Sequence, residues 1–156
     1  MNYAGRCSLV LVLTVALGQG AFTRLPDPVQ VPFEYSKAFG LMLIKAEVNG
    51  KPSVMVVDTA SNETIVSPRL VVLSQLGSKN TVAMAKGSGY PSTGVVATAF
   101  LRVGPFSSRN CEVLVVDLSD LSNSLGQEVD GILGMSVLKT FEVVSVDLKH
   151  HKLTLK

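Results

Sequence analysis

A chain of 156 residues, 47% hydrophobic and 17% charged, is long enough to close one packed domain and too short for two ordinary ones. Its formal net charge of +2 comes from lysines and arginines spread along the sequence, which excludes the clustered basic footprint of a nucleic-acid or anionic-lipid binder. Aromatic residues make up only 6%, there is no Trp, and short runs of Val, Ile, Leu and Thr are broken by Gly, Pro, Ser and Asn, the composition of an all-β domain.

Residues 1–6 carry one positive charge, residues 7–17 form an apolar run of eleven, and Gly18, Gly20 and Ala21 supply small residues near a cleavage point. This pattern predicts a secretory signal peptide over residues 1–21 and an exported protein, with no stable membrane association after cleavage. Eleven apolar residues fall well short of the ~20 that span a bilayer. Residues 22–32 hold Pro26, Pro28 and Pro32, which rules out a helix or a central strand and predicts an extended leader. Cleavage removes Cys7 and leaves Cys111 as the one thiol, so no internal disulfide is expected. Within Cys111-Glu112-Val113-Leu114-Val115-Val116 that thiol reads as a small core hydrophobe rather than a nucleophile.

The folded domain is expected over residues 33–156, with strands at 41–48, 53–57, 95–103, 112–116 and 142–148. Asn49-Gly50, between the first two, is a strong hairpin turn. Residues 68–76 fit neither the helical nor the strand period, and both readings stay open. Ala85-Lys86-Gly87-Ser88-Gly89-Tyr90 followed by Pro91 reads as a surface hairpin turn, with two glycines that let the backbone bend and approach a ligand. Asp117 and Asp120 fall in an expected loop, and Asp130 before Gly131 reads as a turn-fixing residue. Val137-Leu138-Lys139-Thr140-Phe141 predicts one short helix, and Lys149-His150-His151-Lys152 a solvated turn between the last two strands. Two adjacent histidines do not complete a metal site of the usual ligand count, so no metal or other cofactor is expected. Ser61 and Ser88 lack a His in any triad context.

The chemistry enters at Val54-Met55-Val56-Val57-Asp58-Thr59-Ala60-Ser61, with Thr64 beyond it. An apolar strand ending in a carboxylate, then turning through small and hydroxyl residues, places Asp58 where a core strand meets a cleft. On this segment alone Asp58 could equally open an ordinary turn. A second segment about seventy residues downstream, Val129-Asp130-Gly131-Ile132-Leu133-Gly134, supplies the complement.

Together the two segments resemble the paired signatures of the retropepsin-like aspartic proteases, single-domain bacterial type: Asp58-Thr59-Ala60-Ser61 with Thr64, and Ile132-Leu133-Gly134. The hairpin Val48-Asn49-Gly50-Lys51-Pro52 and the closing Val146-Asp147-Leu148 and Leu153-Thr154-Leu155 share the likeness, which covers residues 33–156. The resemblance implies a closed six-stranded acid-protease β-barrel with one short helix, acting as a homodimer on peptide or protein substrates without cofactor. It implies Asp58 as the catalytic carboxylate, with Thr59, Ala60, Ser61, Thr64, Ile132, Leu133 and Gly134 supporting its loop. It also implies a substrate-binding flap at Gly87, Ser88, Gly89 and Tyr90. Its otherwise exposed sheet edge makes the terminal strand at residues 153–155 a candidate to pair between copies. Ala60 departs from the family's glycine, and its methyl is tolerable at negative φ and costly at positive φ. The alternative implied by Ala60 is a catalytically inactive peptide-binding module.

Overall fold

Asn49 and Gly50 both take positive φ, 53° and 79°, the conformation that the two central residues of a type I′ hairpin need. That turn joins two strands of a computed structural model that describes residues 28–71, 82–85 and 92–156. The expected signal peptide, the expected leader up to residue 27 and the residues expected to form a flap, Gly87, Ser88, Gly89 and Tyr90, lie outside the described residues.

The strands, in chain order, are β1 Val29–Ser36, β2 Leu41–Val48, β3 Lys51–Val57, β4 Ile65–Val66, β5 Val82–Ala85, β6 Ser92–Val103, β7 Phe106–Val115, β8 Gly131–Leu133, β9 Val144–Asp147 and β10 Lys152–Leu155. Two short helices, α1 Ser119–Leu125 and α2 Met135–Leu138, and a 3-10 turn at Pro68–Leu70 complete the described elements. Six strands run in the order β6-β7-β4-β8-β3-β2, and β2 returns to β6 through Glu47↔Arg102 and Val48↔Leu101, so the ring closes. Closure leaves these six strands with no free edge. The all-β closed barrel expected from the sequence is the architecture observed.

β1 leaves the barrel and changes partner midway. Residues Val29 to Pro32 pair with β10, and Phe33 to Ser36 pair with β2. Pro32 falls at that changeover, and the Phe33 amide donates to the His151 carbonyl at 3.0 Å, one step beyond the Pro32↔Lys152 pair. The sheet therefore reaches back to Val29, ahead of the Phe33 start expected from the prolines. β10 is flanked by β1 on one side and β9 on the other. This corrects the expectation that residues 153–155 offer a free edge to a second copy: both edges are taken within the chain.

Alternation along β3 explains how the core divides. Met55 and Val57 join one apolar cluster with Phe33, Ile44, Leu101, Leu133 and Leu153, while Val56, on the opposite face, joins another with Leu43, Ile65, Leu121 and Ile132. Apolar side chains on both faces of the strand that carries Asp58 hold it from either side. Helix α1 caps the second cluster through Leu121, with Leu125 packed against it. The segment read as a loop at Asp117 and Asp120 thus contains a helix, missed because Ser and Asn are weak helix formers and only burial of its leucines stabilises it. It ends at Gly126 in the left-handed conformation, φ 65°. The expected helix at 137–141 forms instead at Met135–Leu138. Cys111 is half-buried and packs against the first cluster.

Candidate active site

β3 and β8 run parallel, pairing Met55↔Gly131, Val56↔Ile132 and Val57↔Leu133. The ladder continues one step past β3, because the amide of Asp58 donates to the Leu133 carbonyl at 3.1 Å. Asp58 is therefore the first residue beyond a buried strand, half-buried itself, with Thr59 and Ala60 exposed beside it. Its Oδ1 accepts the Ala60 amide at 2.8 Å, so carboxylate and turn brace one another. Ala60 has no positive φ, so its methyl adds no left-handed strain to the turn.

The rest of the loop is held from behind. Ser61 and Thr64 are 1% and 0% exposed, which obliges their hydroxyls to find partners. Ser61 Oγ donates to the Glu63 carbonyl at 2.8 Å. Thr64 Oγ1 accepts from the Gly134 amide at 3.2 Å and from Ser136 Oγ at 2.9 Å, and Ser136 Oγ in turn accepts the Thr64 amide at 2.9 Å. Met135 and Ser136 amides donate to the carbonyls of Ser61 and Asn62, each at 2.8 Å. The loop and the start of α2 are thus zipped together residue by residue. Gly134 makes this possible: a Cβ there would sit 2.1 Å from the Glu63 carbonyl oxygen. Ile132 and Leu133, buried at 3% and 0%, cross beneath the same loop as the two residues before that glycine.

Asp58, Thr59, Ala60, Ser61, Thr64, Ile132, Leu133 and Gly134 accordingly converge on one end of the barrel. Two residues at the junction escaped the sequence reading in this role, Ser136 and Asp130. Asp130 does more than open a turn: it is 2% exposed, its Oδ2 accepts the Val54 amide at 2.8 Å and its Oδ1 accepts Arg69 Nε at 2.8 Å. The available signal was an acidic residue inside an otherwise apolar strand run, Val129-Asp130-Gly131-Ile132-Leu133, which only a buried partner makes tolerable.

A family model described as aspartyl protease matches residues 44–137, well over half of the chain. The chain belongs to the aspartyl protease family. Among solved structures, this aspartyl-protease chain is similar to a retropepsin-like aspartic protease from Rickettsia conorii, with a TM-score of 0.53 and 18% identity over 83% of this chain and 90% of that one. At that identity the likeness is one of fold, and the fold is retropepsin-like. The retroviral protease-like domain of Ddi1 from Leishmania major also matches, with a TM-score of 0.44 and 17% identity over 74% of this chain and 88% of that one. Comparison with curated protein sequences finds no match. The family match spans β3, the Asp58 loop, β8 and most of α2, the elements that meet at the junction just described.

Proposed function

We propose that this chain is an aspartic endopeptidase whose active unit is a homodimer with one Asp58 from each copy. The observation that carries the reading is Asp58 itself, an accessible carboxylate at the end of a buried strand, on a loop anchored by its own amide and by Gly134, Met135 and Ser136. The mechanism needs two such carboxylates close enough to share one proton, because like charges at that separation cannot both ionise cheaply. The ionised one draws a proton from a water held between them, and that water attacks the peptide carbonyl. The protonated one stabilises the developing oxyanion, and proton transfer to the departing nitrogen completes cleavage.

The chain has a single Asp-Thr-small motif, and the other described aspartates are poor candidates for the second acid. Asp130 is buried against Arg69, Asp117 is bonded to Ser119, Asp147 to His150, and Asp120 is exposed in the first turn of α1. A twofold axis brings the same residue from both copies together and supplies the missing carboxylate. The geometry of Ala60 favours this reading over an inactive peptide-binding module, since the added methyl imposes no backbone strain.

The test is cleavage of a diverse peptide mixture between acidic and neutral pH. Wild type should cleave, specific activity should fall on dilution, and Asp58→Asn chains should abolish activity alone and poison wild type when mixed. Full activity from a strictly monomeric species, or turnover that survives Asp58→Asn, refutes it.

A further inference from the structure

Asp130 is a buried acid that the peptide-cleavage chemistry does not use, and its bonds run toward the site. Its amide donates to the Val54 carbonyl at 2.8 Å while its carboxylate takes the Val54 amide at 2.8 Å, so both backbone groups of one β3 residue are gripped by one β8-side residue. Its carbonyl accepts the Ser67 amide at 2.7 Å, and its remaining oxygen takes Arg69, which also meets Glu128 at 3.1 Å. Asp130 thereby joins β3, the Pro68–Leu70 turn and the start of β8 at a single point.

The parallel β3–β8 ladder it begins is only three residues long. So short a ladder has little of its own to resist a one-residue slip, which would turn every β8 side chain to the wrong face. The six residues that follow Asp130 include Leu133, Gly134, Met135 and Ser136, whose backbone groups hold Asp58, Thr64, Ser61 and Asn62. Asp58 lies four residues along β3 from Val54, about 13 Å at a strand's rise.

We propose that Asp130 is a positioning residue for Asp58: its clamp on Val54 sets the register of β3 against β8, and with it the placement of the carboxylate. The role of Arg69 is to neutralise the buried charge and to draw the Pro68–Leu70 turn onto it. The proposal rests on Asp58 as the working carboxylate, but the placement it describes can be measured without catalysis.

The experiment compares wild type with Asp130→Ser, which removes every bond of the carboxylate, with Asp130→Asn, which keeps one amide oxygen, and with Arg69→Gln. Amide hydrogen exchange is followed residue by residue. Asp130→Ser should accelerate exchange at Asp58, Met135 and Ser136 by about tenfold, the scale of a lost buried bond, while amides of the β6–β7 hairpin keep their wild-type protection. Asp130→Asn should accelerate the same three amides less, and Arg69→Gln least, because it leaves the Val54 clamp in place. If Asp130→Ser does not fold, the order of the other two decides. In the active dimer, Asp130→Asn should lower kcat per titrated active site and move the acid limb of its pH profile, since the two carboxylates then couple at a changed separation, with KM nearly unchanged. Acceleration spread evenly over the barrel, or Arg69→Gln matching or exceeding Asp130→Asn, overturns the proposal, as does an unaltered pH profile at full occupancy. A wild type that cleaves nothing refutes the peptidase reading alone and leaves the exchange pattern to decide this one.

Discussion

Replacing Gly134 by alanine puts a methyl carbon 2.1 Å from the Glu63 carbonyl oxygen, 2.6 Å from its carbonyl carbon and 2.9 Å from the Ser61 carbonyl oxygen. These are backbone atoms, so no side chain can swing aside. An ordinary carbon–oxygen contact is about 3.3 Å or longer, so the Asp58 loop and α2 must part by roughly 1 Å. Overpacking of that kind costs about 1–3 kcal/mol. The separation also stretches three bonds, Gly134 amide to Thr64 Oγ1 and the Met135 and Ser136 amides to Ser61 and Asn62, each worth about 1 kcal/mol when intact. With all three bonds lost the expected cost is therefore about 4–6 kcal/mol, a large share of the ~5–15 kcal/mol that a domain has in total. Urea unfolding of the variant beside wild type measures it. Gly50→Ala is the contrasting control, since nothing lies within 4 Å of its Cβ and the penalty comes only from φ 79°. That substitution should cost about 1–2 kcal/mol. A Gly134→Ala protein losing less than Gly50→Ala would refute the claim that close approach of two backbones holds the loop.

Thr64→Val keeps the shape of a fully buried side chain while orphaning the Gly134 amide and the Ser136 hydroxyl, and should destabilise by about 1–3 kcal/mol, with Thr64→Ser recovering most of it in the same denaturation assay. The Asp147 carboxyl is held below its usual value of 3.8, chiefly by the bond from the His150 ring and then by the His150 amide. A carboxyl depressed in the folded state stabilises above its unfolded value, and that contribution fades as pH falls through the folded one. An NMR titration should find its midpoint below 3.8 and His150→Ala should raise it; no movement on that substitution would show that the ring contributes nothing. Ala60→Gly should preserve or raise the cleavage rate with substrate preference unchanged, and a rate that appears only in this variant would favour the inactive binding module.

The barrel and the site were legible in unequal degree. The bounds of β2 at Leu41–Val48 and the hairpin at Asn49-Gly50 follow from an apolar run punctuated by a turn pair, both local signals. The short elements had no such signal. β4 has two residues and β8 three, too few to display any period, and each exists because strands elsewhere in the chain lie beside it. Pro32 argued against a strand, and does so correctly for a strand paired on both sides at that position; β1 evades the rule by changing partners there.

By itself the sequence determined what local chemistry can determine: an all-β composition, the turn that folds β2 onto β3, and an acidic residue placed where a buried strand ends. The motif pair also carried its family, because the order and spacing of Asp58-Thr59-Ala60 and Ile132-Leu133-Gly134 survive as text. Only the tertiary structure decided how the two motifs touch, which glycine must be a glycine, and that Asp130 is a clamp rather than a turn. The physical reason is distance along the chain. Asp130 meets Val54 across 76 residues and Arg69 across 61, and Thr64 meets Gly134 across 70. Contacts of that span carry no periodicity, and they form only when the barrel has closed and burial makes each unpaired polar group costly enough to require its partner.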